Sequence, residues 1–462
     1  MQYIMKGACP MSSLLIQNID TLVTCDYSDR VLNHVDLYAE DGVILAIGAH
    51  LNRTADEVVD GTRMICYPGL INAHHHLYQI FSRNLPLVQN LELFDWLTAL
   101  YEIWKGLDED VVRLSTMVGL GELLKHGCTT CFDHHYVFPQ GCGDLVGVQF
   151  DAADRMGARM HVSRGGMDLS RKDGGLPPDG VVQSIDEIVK DCIHAVETYH
   201  DSSFGSMHQV VIAPCSPFSV SSDLLRECAG VARQYKVRLH THLAETTSES
   251  RYTLKQFGMR PLEYMSSVGW TGRDVWYAHG IHFNAEEQRE LARTGTGIVH
   301  CPISNMKLSS GVAKVPQMHK HGITIGLGVD GSASNDGSSM LEEMRVCYLL
   351  HRLHSGKNAP SGYDVLKMAT RNGAKLLGRD DIGILSVGKC ADLFLVDSRR
   401  LELVGAAYDP KAMLATVGLR DAVDYTIVDG KVVVRDGQLV NVDEEKLAAE
   451  ANRKCTEYLR KL

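Results

Sequence analysis

The sequence lacks the features that mark a membrane-spanning, secreted or nucleic-acid-binding protein. No uninterrupted apolar run in its 462 residues approaches the roughly 18 that a membrane span needs. No basic stripe relieves a formal net charge of −11, so the electrostatic footprint of a nucleic-acid or anionic-membrane binder is missing. The acidic excess reads as a solubility feature. The N-terminal MQYIMKGACPMSSLL has one lysine and no apolar core, unlike a secretory signal, and Met1 and Met11 are both usable starts. Thirteen cysteines, an odd number without framework spacing, predict free thiols and a reducing cytoplasm. The pair Cys128 and Cys131 in GCTTCFD has no second pair or zinc-type partner and reads as strand packing.

What is present is an ordinary globular composition in a chain long enough for one large barrel with an appendage. Residues 1–65 read as the first part of a small β-sandwich, from LLIQNIDTLVTC, HVDLYAEDGVILAIG and EVVDGTRMI. The same texture returns in residues 381–462, in GKCADLFLVD and VDYTIVDGKVVVRDGQLV, before a terminal helix. One sandwich built from both termini is the simplest reading. Between them, residues 66–380 alternate strand-like runs with helical patterns such as DEDVVRLSTMVGLGELLKHG. Eight runs stand out: MICYPGLI, CTTCFD, ARMHVSR, HQVVIAP, VRLHTH, VWYAHG, GIVHC and ITIGLGVD. Eight strand-then-helix units predict an α/β protein with a closed (β/α)8 TIM-type barrel.

Barrel enzymes place their chemistry at the C-terminal strand ends. The residues found there are His74 and His76; Asp133, His134 and His135; Arg164; Cys215; His242 and Glu245; His279; Cys301 with Asn305; and Asp330. His74 and His76 are two apart in PGLINAHHHLYQ, so on an extended strand both face one side and His75 faces the other. HTHLAE repeats that spacing at His240 and His242, with Glu245 three residues on. Three imidazoles and one carboxylate suit Zn2+, with Fe2+ also accepted.

PGLINAHHH, HTHLAE, the strand-six histidine and VDG with its aspartate together resemble the amidohydrolase superfamily, in its mononuclear deaminase branch. The resemblance covers nearly the whole chain. It implies metal ligands His74, His76, His242 and Asp330, an acid/base role for Glu245, and a water-orienting role for His279. Dinuclear members carry a bridging lysine at the end of strand four; here Cys215 stands at that point, which implies one metal per chain. Asn72 stands where many members have Asp. The other zinc deaminase signature, H-x-E…P-C-x-x-C, is absent, since Pro214-Cys215 is followed by Ser216-Pro217. A non-catalytic scaffold of this fold is expected to lack ligands, and every ligand position here is filled.

The loops narrow the resemblance further. HHHLYQ, LFDWL, DHHYVFP, RGGMDLSRKDGGLPPDGVVQ, APCSPFSV and HCPISNM are similar to those of 8-oxoguanine deaminases. That resemblance implies 8-oxoguanine plus water giving uric acid and ammonia, with Gln79, Trp96 and Cys215 against the purine. Tyr78 and Arg164 are the other candidate substrate contacts, and the glycine- and proline-rich loop after Arg164 has a lid-like composition. Sibling activities on isoxanthopterin, guanine or a hydroxy-s-triazine share the same metal chemistry. The partner is thus a small heterocycle, with neither nucleic acid nor membrane involved, and the chain is expected to form a homo-oligomer, a dimer or higher.

Overall fold

In the computed structural model, residues 12–460 are described; Met1, Met11 and the reading of the first residues lie outside that span. The N-terminal strands are β1 (Ser13–Val23), β2 (Val31–Glu40), β3 (Val43–Gly48), β4 (Glu57–Asp60) and β5 (Met64–Pro68). The C-terminal ones are β15 (Leu393–Asp397), β16 (Tyr425–Val428), β17 (Lys431–Arg435) and β18 (Gln438–Leu439). Both sets share one sheet, ordered β18-β17-β16-β15-β5-β1-β2-β3 with β4 on β1. The join is β15 against β5, antiparallel from Leu393–Pro68 to Asp397–Met64. Its own core holds Leu14, Ile16, Leu37, Leu393 and Ile427. The two ends of the chain therefore build one unit, as their shared texture predicts.

The inserted section is a parallel barrel of β6 (Leu70–His76), β7 (Cys128–Asp133), β8 (Arg159–Arg164), β9 (His208–Ile212), β10 (Arg238–Leu243), β11 (Val275–His279), β12 (Gly297–His300), β13 (Ile325–Leu327) and β14 (Asp330–Gly331). β13 pairs with β12 and β14 pairs with β6. Because β13 and β14 are two halves of the single run ITIGLGVD, the eighth strand closes the ring. The run MICYPGLI divides, contrary to the reading as one barrel strand. Met64–Pro68 joins the terminal sheet and only Leu70 onward enters the barrel. Gly69 allows the change of sheet, since a Cβ there would lie 2.1 Å from Thr129 Oγ1.

The helix Glu109–Lys125 realises the DEDVVRLSTMVGLGELLKHG pattern and starts on Asp108, whose side chain accepts from Val111 N–H. Inside the ring, Ile71, Ala73, Phe132, Val211, Trp276 and Val299 pack into an apolar plug. The plug fills the barrel beneath the strand ends and leaves only their C-terminal rim for chemistry.

Candidate active site

At that rim the side chains of four strands converge. His74 Nε2 lies 3.3 Å and His76 Nε2 3.2 Å from Asp330 Oδ1. His76 Nε2 lies 3.2 Å from His242 Nε2. The other ring nitrogen of each imidazole is committed elsewhere. His76 Nδ1–H donates to the His134 carbonyl at 2.7 Å, and His242 Nδ1–H to the Cys215 carbonyl at 2.6 Å. His240 donates its Nδ1–H to the Trp276 carbonyl at 3.0 Å, which leaves its Nε2 as the acceptor for His74 Nδ1–H at 2.9 Å. Three Nε2 lone pairs and a carboxylate oxygen therefore face one another. Such a set repels itself unless a cation lies between its members. Donor separations of 3.2–3.3 Å match the edge of a tetrahedron with bonds of about 2.0–2.1 Å.

The electrostatics agree with that reading. Burial pushes His74 down to about 4 and His242 well below the ordinary imidazole value, so both are neutral at pH 7. His279 is different: burial alone would lower it, but the charges of Glu245 and Asp330 raise it. Its Nδ1–H donates to Asn305 Oδ1 at 2.9 Å, and its Nε2 lies 3.4 Å from Glu245 Oε2 and 3.9 Å from Asp330 Oδ2. Burial raises the Glu245 carboxyl, and nearby Asp330 raises it further, while His279 and a hydrogen bond from Ser310 pull the other way. His279 at φ +73°, Asp330 at φ +62° and Ala244 at φ +55° all sit in left-handed backbone. Such backbone costs about 1–3 kcal/mol per residue and persists where surrounding contacts over-determine it.

Two close approaches fix the eighth strand here. A Cβ on Gly328 would lie 2.8 Å from His74 Cβ, so only glycine lets that strand pass the ligand. Asn72 Oδ1 accepts from Val329 N–H at 3.1 Å, tying the first strand to the residue before Asp330. The middle histidine of the triplet faces away, with His75 Nε2 3.0 Å from Ser338 Oγ.

A pocket opens onto this rim, walled by Gln79, Trp96, Cys215, Phe218, Glu245 and Leu308, with His76, His242, His279 and Asp330 also reaching it. Both amide atoms of Gln79 and the indole nitrogen of Trp96 are buried without a hydrogen-bond partner among the described residues. Unpaired buried polar atoms are costly; beside a pocket they are groups awaiting a ligand. Cys215 is fully buried, with its thiol pushed up to about 11 by burial, and its sulfur lies 3.8 Å from Tyr101 Oη.

Two expected substrate contacts are not brought to this pocket. After His76 the chain turns into a 3-10 helix, Leu77–Ser82, which swings Tyr78 behind the wall. Its ring packs edge-on against Trp104 and His135 and supports the site instead of lining it. Arg164 is held outside by Gln183 Oε1 at 2.8 Å and Asp191 Oδ2 at 2.9 Å, with its guanidinium over Phe138. The loop after Arg164 contributes no residue to the pocket wall; Arg171 instead reaches Glu102 at 3.2 Å. Conversely, sequence spacing gives no role to His240, Ser310 or the His134 carbonyl, each of which orients a group at the centre. HTHLAE does contain the signal for His240, since residues two apart on a strand share a face.

Other features of the molecule lack this convergence. An open cleft of ≈ 680 Å³ lies away from the histidines and is lined by charges of both signs, Arg113, Arg155 and Arg453 with Asp110, Glu450 and Glu457. A second buried donor group, His300, Cys347 and His351, has its two Nε2 atoms 3.1 Å apart, the length of one ring-to-ring hydrogen bond. Neither Nδ1 has a partner among the described residues. Ligating histidines are normally oriented by such outer partners, so no ion is assigned there.

Comparison with known proteins accords with the geometry. The model of the amidohydrolase family matches residues 65–433. Over 458 residues the chain is 41% identical to a hydroxydechloroatrazine ethylaminohydrolase of Pseudomonas sp. (strain ADP), covering 96% of this chain and 95% of that protein. It is 44% identical over 416 residues to an 8-oxoguanine deaminase of Pseudomonas aeruginosa, covering 89% and 92%. The atrazine chlorohydrolase of Arthrobacter aurescens TC1, in a crystal structure complexed with zinc, superposes with a TM-score of 0.92 at 31% identity, covering 96% of this chain and 100% of that one. With its barrel, its His/Asp centre and matches of this extent, the chain belongs to the amidohydrolase family and is a hydrolase acting on carbon–nitrogen bonds.

Proposed function

We propose that the protein hydrolytically deaminates an amino-oxopurine, converting 8-oxoguanine and water into uric acid and ammonia. In this reading His74, His76, His242 and Asp330 hold one Zn2+. The observation that carries it is the convergence of three imidazole lone pairs and a carboxylate beside Glu245, at the floor of a pocket with unpaired polar groups. When bound, the ion supplies Lewis acidity and lowers the pKa of water from about 15.7 to about 7.

The chain's own groups account for the proton traffic. In this reading Asp330 Oδ2, 3.9 Å from His279 Nε2, receives a proton from the attacking water while His279 orients that water. Glu245, raised by burial, delivers a proton to the ring nitrogen beside the attacked carbon and makes that carbon more electrophilic. As the carbon–nitrogen bond to the exocyclic amine breaks, the second water proton leaves with the departing ammonia, and the proton held on Asp330 restores the acid form of Glu245. Acid–base assistance of this kind is worth roughly 10²–10⁴-fold. Gln79 offers a donor and an acceptor and Trp96 a donor, which suits the alternating carbonyl and N–H groups of an oxopurine edge. Leu93, Leu97 and Phe218 also reach the pocket, and this apolar side favours a second reading, an N-alkyl hydroxy-s-triazine, as for the ethylaminohydrolase relative. Isoxanthopterin and guanine are siblings within the first reading.

The reading extends to a homo-oligomer in a reducing compartment, and the free thiols of the described cysteines support the reducing setting; no described helix is long and apolar enough to cross a membrane. Incubation with 8-oxoguanine tests the reaction: uric acid and ammonia should appear in equal amounts, and absence of ammonia overturns the substrate assignment. Elemental analysis should give one divalent metal per chain, and two would overturn the mononuclear centre.

A further inference from the structure

Glu245 and His279 follow different strands, yet one segment hydrogen-bonds to the side chains of both. After β12, the helix Pro302–Lys307 runs into a tight loop, with Ser309 at φ +55° and Gly311 at φ +124°. Ser310 lies between them. Its N–H donates to the Asn305 carbonyl at 2.9 Å, and its carbonyl accepts from His282 Nε2 at 2.9 Å. The backbone of Ser310 is thus tied to the segment that bears Asn305 and to the loop that follows His279. Asn305 Oδ1 holds His279 at Nδ1, and Ser310 Oγ–H donates to Glu245 Oε1 at 2.9 Å.

The two oxygens of Glu245 are therefore not equivalent. Oε1 receives the serine proton, so it serves as an acceptor; Oε2 faces His279 Nε2 at 3.4 Å. Ser310 is buried, so water does not compete freely for Oε1. The backbone of Glu245 is fixed independently, since its N–H donates to Glu249 Oε2 at 3.0 Å and that of Ala244 to Glu249 Oε1 at 2.8 Å. With the backbone held, the hydrogen bond from Ser310 to Oε1 orients the carboxyl group.

We propose that Ser310 is a positioning residue that fixes which Glu245 oxygen carries the transferable proton, reserving Oε2 for the substrate. The inference rests on the acid/base role of Glu245 proposed above. No bond to Ser310 forms or breaks in the reaction; its hydroxyl stays a donor to Oε1 while the proton on Oε2 moves to the substrate nitrogen and is later regained.

The test uses the metal-loaded protein and ammonia release from 8-oxoguanine, or from whichever aminoheterocycle it turns over. Ser310→Ala should lower kcat roughly 10- to 100-fold, the loss expected for a hydrogen bond to an ionisable group, with KM within about threefold and metal content unchanged. Ser310→Thr keeps the hydroxyl and should restore most of kcat; should Ser310→Ala fold poorly, Ser310→Cys, with a weak donor of similar size, supplies the same comparison. In the Glu245→Gln background, removing the Ser310 hydroxyl should cost nothing further, because it acts through the lost acid. Near-normal kcat in Ser310→Ala, failure of Thr to rescue, or a full additional loss in the double variant would each overturn the proposal. If Glu245→Gln itself retains normal turnover, the acid/base reading fails first, so the two failures are distinguishable.

Discussion

His240 gives the sharpest test of how the centre is organised, because it touches no substrate and ligates no ion. Its Nε2 takes the Nδ1–H of His74 at 2.9 Å, and its own Nδ1–H is committed to the Trp276 carbonyl at 3.0 Å. That relay keeps the proton of His74 on Nδ1 and its lone pair on Nε2, toward Asp330. His240→Phe preserves a planar ring of similar volume but removes the acceptor. His74 is then free to turn or to take the other tautomer, and its Nδ1–H is left buried without a partner. Loss of such an outer partner typically weakens metal affinity by 10- to 100-fold, or about 1.4–2.8 kcal/mol. His240→Gln retains a carbonyl oxygen on a flexible stem and should lose about threefold or less. Competition titration against a chromophoric zinc chelator measures both, with circular dichroism confirming the fold. Unchanged zinc affinity in His240→Phe, or equal loss in Phe and Gln, would refute the relay.

The triplet offers a second test. His75→Ala should keep one metal per chain, whereas His74→Ala or His76→Ala should strip it under the same dialysis; loss of the ion from His75→Ala would contradict the face assignment. Trp96→Phe removes one N–H while keeping an aromatic ring, and should raise KM for an oxopurine about 2- to 12-fold, a neutral hydrogen bond's worth; an unchanged KM would take the indole N–H out of recognition. Gly331→Ala puts a Cβ 1.8 Å from the buried Gln79 Oε1, so Gln79 must move; steady-state kinetics should show a raised KM with metal content retained, and unchanged kinetics would remove Gln79 from the pocket chemistry.

The strand ends were legible because a period of two and the barrel's polarity act locally. His74 and His76 face one side by spacing alone, His242 stands at the end of its own strand, and Asp330 follows directly from the last one. Groups whose place depends on a neighbouring element were not legible. His240 looks like a twin of His242, yet it lies one layer deeper, and only the alignment of the fifth strand with the first shows that it supports His74. Arg164 has a strand-end address, but Gln183 and Asp191, arriving about 20 to 30 residues later, draw its guanidinium outward. Tyr78 and Gln79 are adjacent in sequence, and the 3-10 turn after His76 decides that Gln79 enters the pocket while Tyr78 backs it. In MICYPGLI the residues just before and after Gly69 are alike apolar and buried, so burial does not show that the first half leaves the barrel.

The measurement closest to the central claim is kcat/KM for ammonia release by the zinc-loaded protein on 8-oxoguanine, isoxanthopterin, guanine and an N-alkyl hydroxy-s-triazine under identical conditions, with amine release also followed for the triazine. The account predicts that 8-oxoguanine ranks first and yields uric acid in step with ammonia. A triazine that outranks every purine would contradict the oxopurine assignment, and no amine or ammonia release from any of the four would contradict the deaminase reading itself.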